Sequence, residues 1–255
     1  MRFLFFTISF CLIFWKLQGQ ELKYKNFDLQ ISTGVSIPTG AFAKTSYEDL
    51  LLPQDGLDYS FYIGIEKAGH AYAKPGRFMG LGLAYQLQSG IKFSLNYQDY
   101  LNPLEVNKLD QVIREGIAQP IERTQFLEHN EYELENFLFG VSYVWSKERL
   151  TYEAGFLTGK GRMQYPNYQY FYDPFYIGND RQHIPINSLV KGLNSSISYS
   201  ILSWLNAGLR FQFIQGDFPY EYERRLIPGG SNVSFLNDEI NFRSLSIGLQ
   251  LQMLW

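Results

Sequence analysis

The chain holds few side chains that could act as catalysts, and their spacing links none of them. Its three histidines are His70, His129 and His183, with Ser, Asp and Glu abundant nearby. Those residue types would permit a histidine-based site acting on lipid or peptide. No His-Glu-x-x-His run or other metal-ligand spacing joins them, however, and no order of Ser, His and Asp marks a triad. Cys11 is the single cysteine. It sits in an apolar stretch near the start, so disulfides and thiolate metal sites are excluded downstream. A non-enzyme with no metal and no cofactor is expected. The net charge of -3 gives no basic surface for nucleic acid.

Other residues could bind rather than react, and their meaning depends on the elements that carry them. Charged residues are 18% of the chain and aromatics 17%, with Tyr and Phe far outnumbering Trp. Arg2 followed by the apolar run Phe3–Trp15 reads as a signal peptide over 1–19, leaving a mature chain of 20–255. No later stretch is a continuous apolar 18-mer. If the mature chain enters a membrane it must do so as a closed β-barrel, because only helices and barrels satisfy every backbone group in lipid.

Alternation with a period of two recurs eight times. The segments are Phe27–Ile37, Met79–Leu87, Ile91–Gln98, Phe137–Trp145, Leu150–Phe156, Leu189–Ile201, Leu205–Phe213 and Ser244–Trp255. One face is apolar and the other is rich in Ser, Gly, Asn and Gln. Short connections near 88–90, 146–149 and 202–204 alternate with long ones at 38–76, 100–134, 160–187 and 216–240. The expected fold is all-β: an eight-stranded antiparallel transmembrane barrel with short periplasmic turns and long extracellular loops. A soluble β-sandwich is the competing reading of any one strand. Tyr85, Tyr143, Trp145, Tyr152, Tyr199, Trp204 and Trp255 lie beside the short turns and predict an interfacial girdle.

The frame gives the remaining polar residues their places. Asp28, Lys92, Glu153 and Arg210 fall on inward positions near the periplasmic end. They are expected to form an ion-pair network at one depth, supported by Gln86, Gln250 and Gln252. It would be either a structural plug or a gated ion path. Outward Arg77, Lys191 and Arg243 fall at extracellular strand ends, where they could contact lipid-head phosphates or simply snorkel. Glu133 and Glu135 share that level. In the long connections, Tyr165, Tyr168, Tyr170, Phe171, Tyr172, Phe175 and Tyr176 could bind an extracellular glycan or protein, or cap the barrel. Leu109, Val112, Ile113 and Ile117 suggest a short helix over the mouth, and Tyr220–Arg225 a solvated hairpin rim.

Gly34–Lys44, and Ala68–Gly76 leading into Gly80–Leu83, resemble segments of small outer-membrane β-barrel proteins of Bacteroidota. Trp255, with Met253, Leu251 and Leu249 on one face, resembles the C-terminal signal read by the barrel-assembly machinery. The resemblance implies a bacterial outer-membrane location and lipid contact, and it carries no activity. A structural or surface-binding barrel is the first expectation. A narrow small-solute channel and an outer-rim membrane enzyme are the alternatives.

Overall fold

A computed structural model describes residues 26–43, 72–108, 123–126, 131–164, 166, 168–172, 175–178, 185–225 and 233–255. The expected leader, 1–19, lies outside them. The strands are β1 (Phe27–Pro38), β2 (Gly76–Gln86), β3 (Ile91–Pro103), β4 (Arg123–Phe126), β5 (Glu131–Lys147) and β6 (Leu150–Gln164), then β7 (Tyr168–Tyr172), β8 (Phe175–Gly178), β9 (Ile186–Leu202), β10 (Leu205–Arg225) and β11 (Val233–Leu254). Eight of them close an antiparallel barrel in the order β1-β11-β10-β9-β6-β5-β3-β2, while β4, β7 and β8 form a separate small sheet. This is the transmembrane barrel class that the alternation predicts.

The register sets the shape. One rung of Cα partners runs from Asp28 through Ala84, Ser94, Gly140, Leu157, Gly192, Ile214 and Ser244 to Pro38. It returns to β1 ten residues beyond its start. A stagger of that size tilts the strands by about 40° and leaves an interior that side chains can fill. At one end of the barrel the seam between β1 and β11 is fastened by Phe27 N donating to the Trp255 carbonyl at 3.2 Å and Trp255 N to that of Phe27 at 3.0 Å. Three tight turns lie at this same end, between β2 and β3, β5 and β6, and β9 and β10.

Along their length the strands change solvent. Towards the short turns, outward side chains are apolar and bare: Phe156 is 71% exposed, and Leu95, Phe137 and Leu249 are each 65% exposed. Their inward partners are mostly Ser, Asn, Gln, Gly and charged groups, with Ala84, Leu138, Val144 and Leu157 among them. Further up, the pattern inverts. Outward positions become Arg77, Asp99, Glu133, Glu135, Lys160, Arg162, Gln215 and Arg243, while inward ones become Phe78, Tyr100, Leu134, Met163, Ile214, Phe218 and Phe242, all buried. The lower zone is built for lipid outside and the upper zone for water outside. On β11 the apolar outward run Leu245–Trp255 spans about 25 Å along the barrel axis, the height of an outer-membrane hydrocarbon band.

The inversion corrects the expected long connections. A period-two reading that demands apolar residues outside stops where the faces exchange roles, yet the strands continue. β3 runs to Pro103, β5 begins at Glu131, and β10 and β11 stay paired as far as Arg225–Val233. The fourth connection is therefore 226–232, not 216–240.

Candidate functional site: the barrel interior and its rim

Lys92 is the centre of the lower interior. It stands second on β3, and its ammonium reaches past neighbouring strands to two carboxylates. Nζ lies 2.9 Å from Asp28 Oδ2 and 2.7 Å from Glu153 Oε2, with all three side chains almost wholly buried. The remaining lone pairs are satisfied around it. Gln252 Nε2 donates to Asp28 Oδ2 at 2.7 Å and Gln30 Nε2 to Asp28 Oδ1 at 3.0 Å. Ser142 Oγ donates to Glu153 Oε1 at 2.9 Å, and Asn194 Nδ2 to the same oxygen at 3.3 Å. Buried charges persist only with such pairing and hydrogen bonding.

Arg210 is buried too, at 4% exposure, but it stands apart. Among the described residues no carboxylate lies within ion-pair distance of its guanidinium. The rung stagger explains this. Arg210 is sixth on β10, and that strand sits late in the climb, so Arg210 lies about 6 Å above the other three charges. It balances their net negative charge through space, facing Glu153, Tyr100 and Asp28. Among the described residues, the half-buried Gln86 side chain makes none of the network's bonds, and Gln250 Nε2 is buried without a partner.

Above Arg210 the interior closes again. Gln98 and Gln212 exchange side-chain hydrogen bonds at 3.1 and 2.8 Å, and Tyr100 Oη donates to Gln98 Oε1 at 3.2 Å. Next comes a layer of rings. Phe78 stacks on Tyr100 with centroids 5.8 Å apart, Tyr100 meets Phe242 edge-on at 5.9 Å, and Phe242 packs on Phe42 at 4.7 Å. Phe42 also meets Tyr132 at 5.2 Å. Phe42 belongs to the short 3-10 turn Gly40–Ala43, which lies over the mouth as a lid. Its carbonyl accepts from Ala73 N at 3.1 Å, tying the lid to the segment before β2. Next to it Tyr72 is buried, and burial pushes its phenol pKa up.

Alternation with an apolar outward face gives no sign of this aromatic layer. Its members keep the inward parity of their strands, but they lie beyond the point where the outward face ceases to be apolar. Gly248 makes room for it: a Cβ there would meet Phe78 Cζ at 2.8 Å.

The outward residues fall in two sectors. Lys191, Gln215 and Arg243 are successive partners across β9, β10 and β11, with both cations exposed. Arg77 lies elsewhere, paired in register with Leu101 on β3 and electrostatically close to Asp99. Around it stand Asp99, Glu133 and Glu135. Tyr97 Oη donates to Glu135 at 3.2 Å, and Arg162 lies 3.9 Å from it. At the opposite end of the barrel the girdle is assembled: Trp145 stacks on Tyr152 at 5.5 Å and Tyr143 on Trp145 at 6.2 Å.

Of the loop aromatics, Tyr168, Tyr170, Phe171 and Tyr172 fall on β7, and Phe175 and Tyr176 on β8. β7 pairs with β4 on one side and β8 on the other, so the second and third long connections share one small sheet. Tyr165, the apolar stretch Leu109–Ile117 and all three histidines lie outside the described residues.

No known family model matches the chain, and no curated protein matches it in sequence. Among solved structures, Neisserial surface protein A is similar with a TM-score of 0.47 and 9% identity, covering 90% of this chain and 97% of that one. The outer membrane protein OprG of Pseudomonas aeruginosa gives 0.46 and 10%, covering 90% and 97%. Ail, the attachment invasion locus protein of Yersinia pestis, gives 0.40 and 7%, covering 90% and 99%. At such values the likeness concerns the path of the chain and reaches no residue that could carry an activity.

Proposed function

We propose that this chain is an integral protein of a bacterial outer membrane that catalyses no reaction. It works through the surface it raises above the bilayer, as a structural barrel or a binding module. The observation that carries this reading is the double closure of the lumen, by the Lys92 network below and the Phe42–Phe242–Tyr100–Phe78 layer above. A barrel of eight strands has little space to spare, and both levels are filled. The water-facing zone is correspondingly large. Beyond Gly216 the β10–β11 hairpin continues for nine residues on β10, about 30 Å along the strand.

In this reading the outward apolar belt contacts lipid. The resemblance of Gly34–Lys44 to Bacteroidota barrels suggests that envelope as the source. The aromatic-rich β7–β8 segment and the projecting hairpin are the surfaces for an extracellular glycan or protein. Crosslinking from Tyr170 and Tyr176 in intact cells tests this: capture of a defined envelope partner supports it. Loss of nothing but stability on replacing both residues opposes it.

A narrow conduit is the second reading, favoured by one observation: Arg210 is a buried cation midway up the lumen with no ion pair among the described residues. Planar-bilayer recording separates the two. A closed barrel gives no discrete openings, whereas a conduit gives small steps that change when Arg210 is neutralised.

A further inference from the structure

We infer that the outer wall over β6, β9, β10 and β11 holds a site for one phosphorylated lipid, with its acyl chain in a groove and its phosphate against Lys191 and Arg243. The inference rests on the membrane reading above.

The register builds the groove. Tyr143, Ala154, Ser195 and Phe211 form one outward rung of partners, and Val141, Phe156, Leu193 and Phe213 the next one up. Between the two rungs the inward residues Ser142, Gly155, Asn194 and Gln212 leave only backbone facing out. The trough between them is an open groove of ≈ 680 Å³. Ala154 and Ser195 are the small side chains that deepen its lower edge, between Tyr143 and Phe211 on the same rung. The rungs climb with the barrel stagger, so the trough rises obliquely from Tyr143 to Leu245. Its length over four strand spacings is about 19 Å, enough for a fatty acyl chain.

The upper end of the trough meets the charges. Lys191 and Arg243 stand on the rung immediately above Leu193 and Leu245, separated by Gln215, and their Cα positions are two strand spacings or about 10 Å apart. Neither forms an ion pair among the described residues. Lys160, the partner of Leu189, adds a third exposed cation beside them, and the exposed anions of this sector among the described residues, Asp217 and Glu239, stand one and two rungs above Gln215. The carboxylates Asp99, Glu133 and Glu135 are gathered on the other flank with Arg77 and Arg162. Cations at the edge of the hydrocarbon, above an acyl-sized trough, complement an anionic headgroup on a chain. A zwitterionic lipid would fill the trough without using the charges.

The experiment is native mass spectrometry of the full protein released from detergent carrying phosphatidic acid or phosphatidylcholine of the same chains. The wild type should retain phosphatidic acid about tenfold more than phosphatidylcholine. Lys191→Gln with Arg243→Gln should bring the first down to the level of the second. Ser195→Phe, which fills the trough and keeps the charges, should lower retention of both lipids. Arg77→Gln, on the acidic flank, should change neither. Equal phosphatidic acid retention by the wild type and the Lys191/Arg243 variant would overturn the inference, as would an equal effect of Arg77→Gln. Insertion of the same preparations into vesicles is scored separately. A wild type that does not insert sinks the membrane reading, whereas one that inserts without lipid preference sinks this inference alone.

Discussion

Lys92 and Glu153 stand on β3 and β6 with β5 between them, yet their charged atoms are 2.7 Å apart across the bottom of the lumen. The same ammonium holds Asp28 from the other side. One cation between two buried carboxylates makes the cost of removing it asymmetric. Lys92→Met should lower the unfolding free energy by about 3–5 kcal/mol, because two buried carboxylates are left facing each other. Adding Asp28→Asn and Glu153→Gln to that variant should restore most of the loss. Urea titration followed by the gel-mobility difference between folded and unfolded barrel measures both. A Lys92→Met variant as stable as the wild type would show that the network is idle.

Phe242 links the lid to the lumen, packing on Phe42 above and on Tyr100 below. Phe242→Ala should cost about 3–5 kcal/mol of stability. It should not by itself produce conductance, since the Lys92 network still closes the lower end. Only when combined with Asp28→Ala, Lys92→Ala and Glu153→Ala should discrete openings appear in planar bilayers. Openings in Phe242→Ala alone would place the barrier in the aromatic layer only.

The two zones should answer oppositely to polarity. Leu249 is outward and 65% exposed at mid-belt, so Leu249→Arg should cost about 2–4 kcal/mol in a bilayer. Glu133 is outward above the belt, and Glu133→Leu should stay within about 0.5 kcal/mol of the wild type. Refolding into vesicles in a urea series gives both values. Similar costs for the two would remove the boundary drawn between them.

Gly248 lies under the Phe78 ring and against the backbone of β1. Gly248→Ala should therefore cost about 1–3 kcal/mol by overpacking. Phe78→Leu in the same chain should recover part of it, read by the same titration. No recovery would mean that the strand backbones, not the ring, set the limit.

The parts of this architecture that were legible from sequence are those governed by lipid. Phe27–Ile37 and Ser244–Trp255 alternate cleanly because one face must be apolar to the last residue, and a single slip would reverse every side chain. The inward parity of Asp28, Lys92 and Glu153 is legible for the same reason. The depth of Arg210 is not: the equal level expected for it ignores the stagger that lifts β10 relative to β3, which only the register reveals. The aromatic layer has no such signature, because Tyr132, Leu134 and Phe242 lie where charged neighbours such as Glu133 and Arg243 take the outward face. There the alternation persists with reversed meaning, as in a water-soluble barrel. Residues such as Tyr170 on the small β4–β7–β8 sheet had no frame at all, because pairing between distant connections leaves no local signature.

Thiol accessibility tests the central claim most directly. In a Cys11→Ser chain folded into vesicles, single cysteines replace Phe137, Phe156 and Leu249 in the belt, and Glu133, Glu239 and Arg243 above it. The belt positions should resist a charged maleimide and react with a lipid-soluble one, while the upper three should react with both. Rapid charged-maleimide labelling at Phe156 and Leu249 in a folded, vesicle-bound chain would contradict a barrel that turns its apolar wall to lipid.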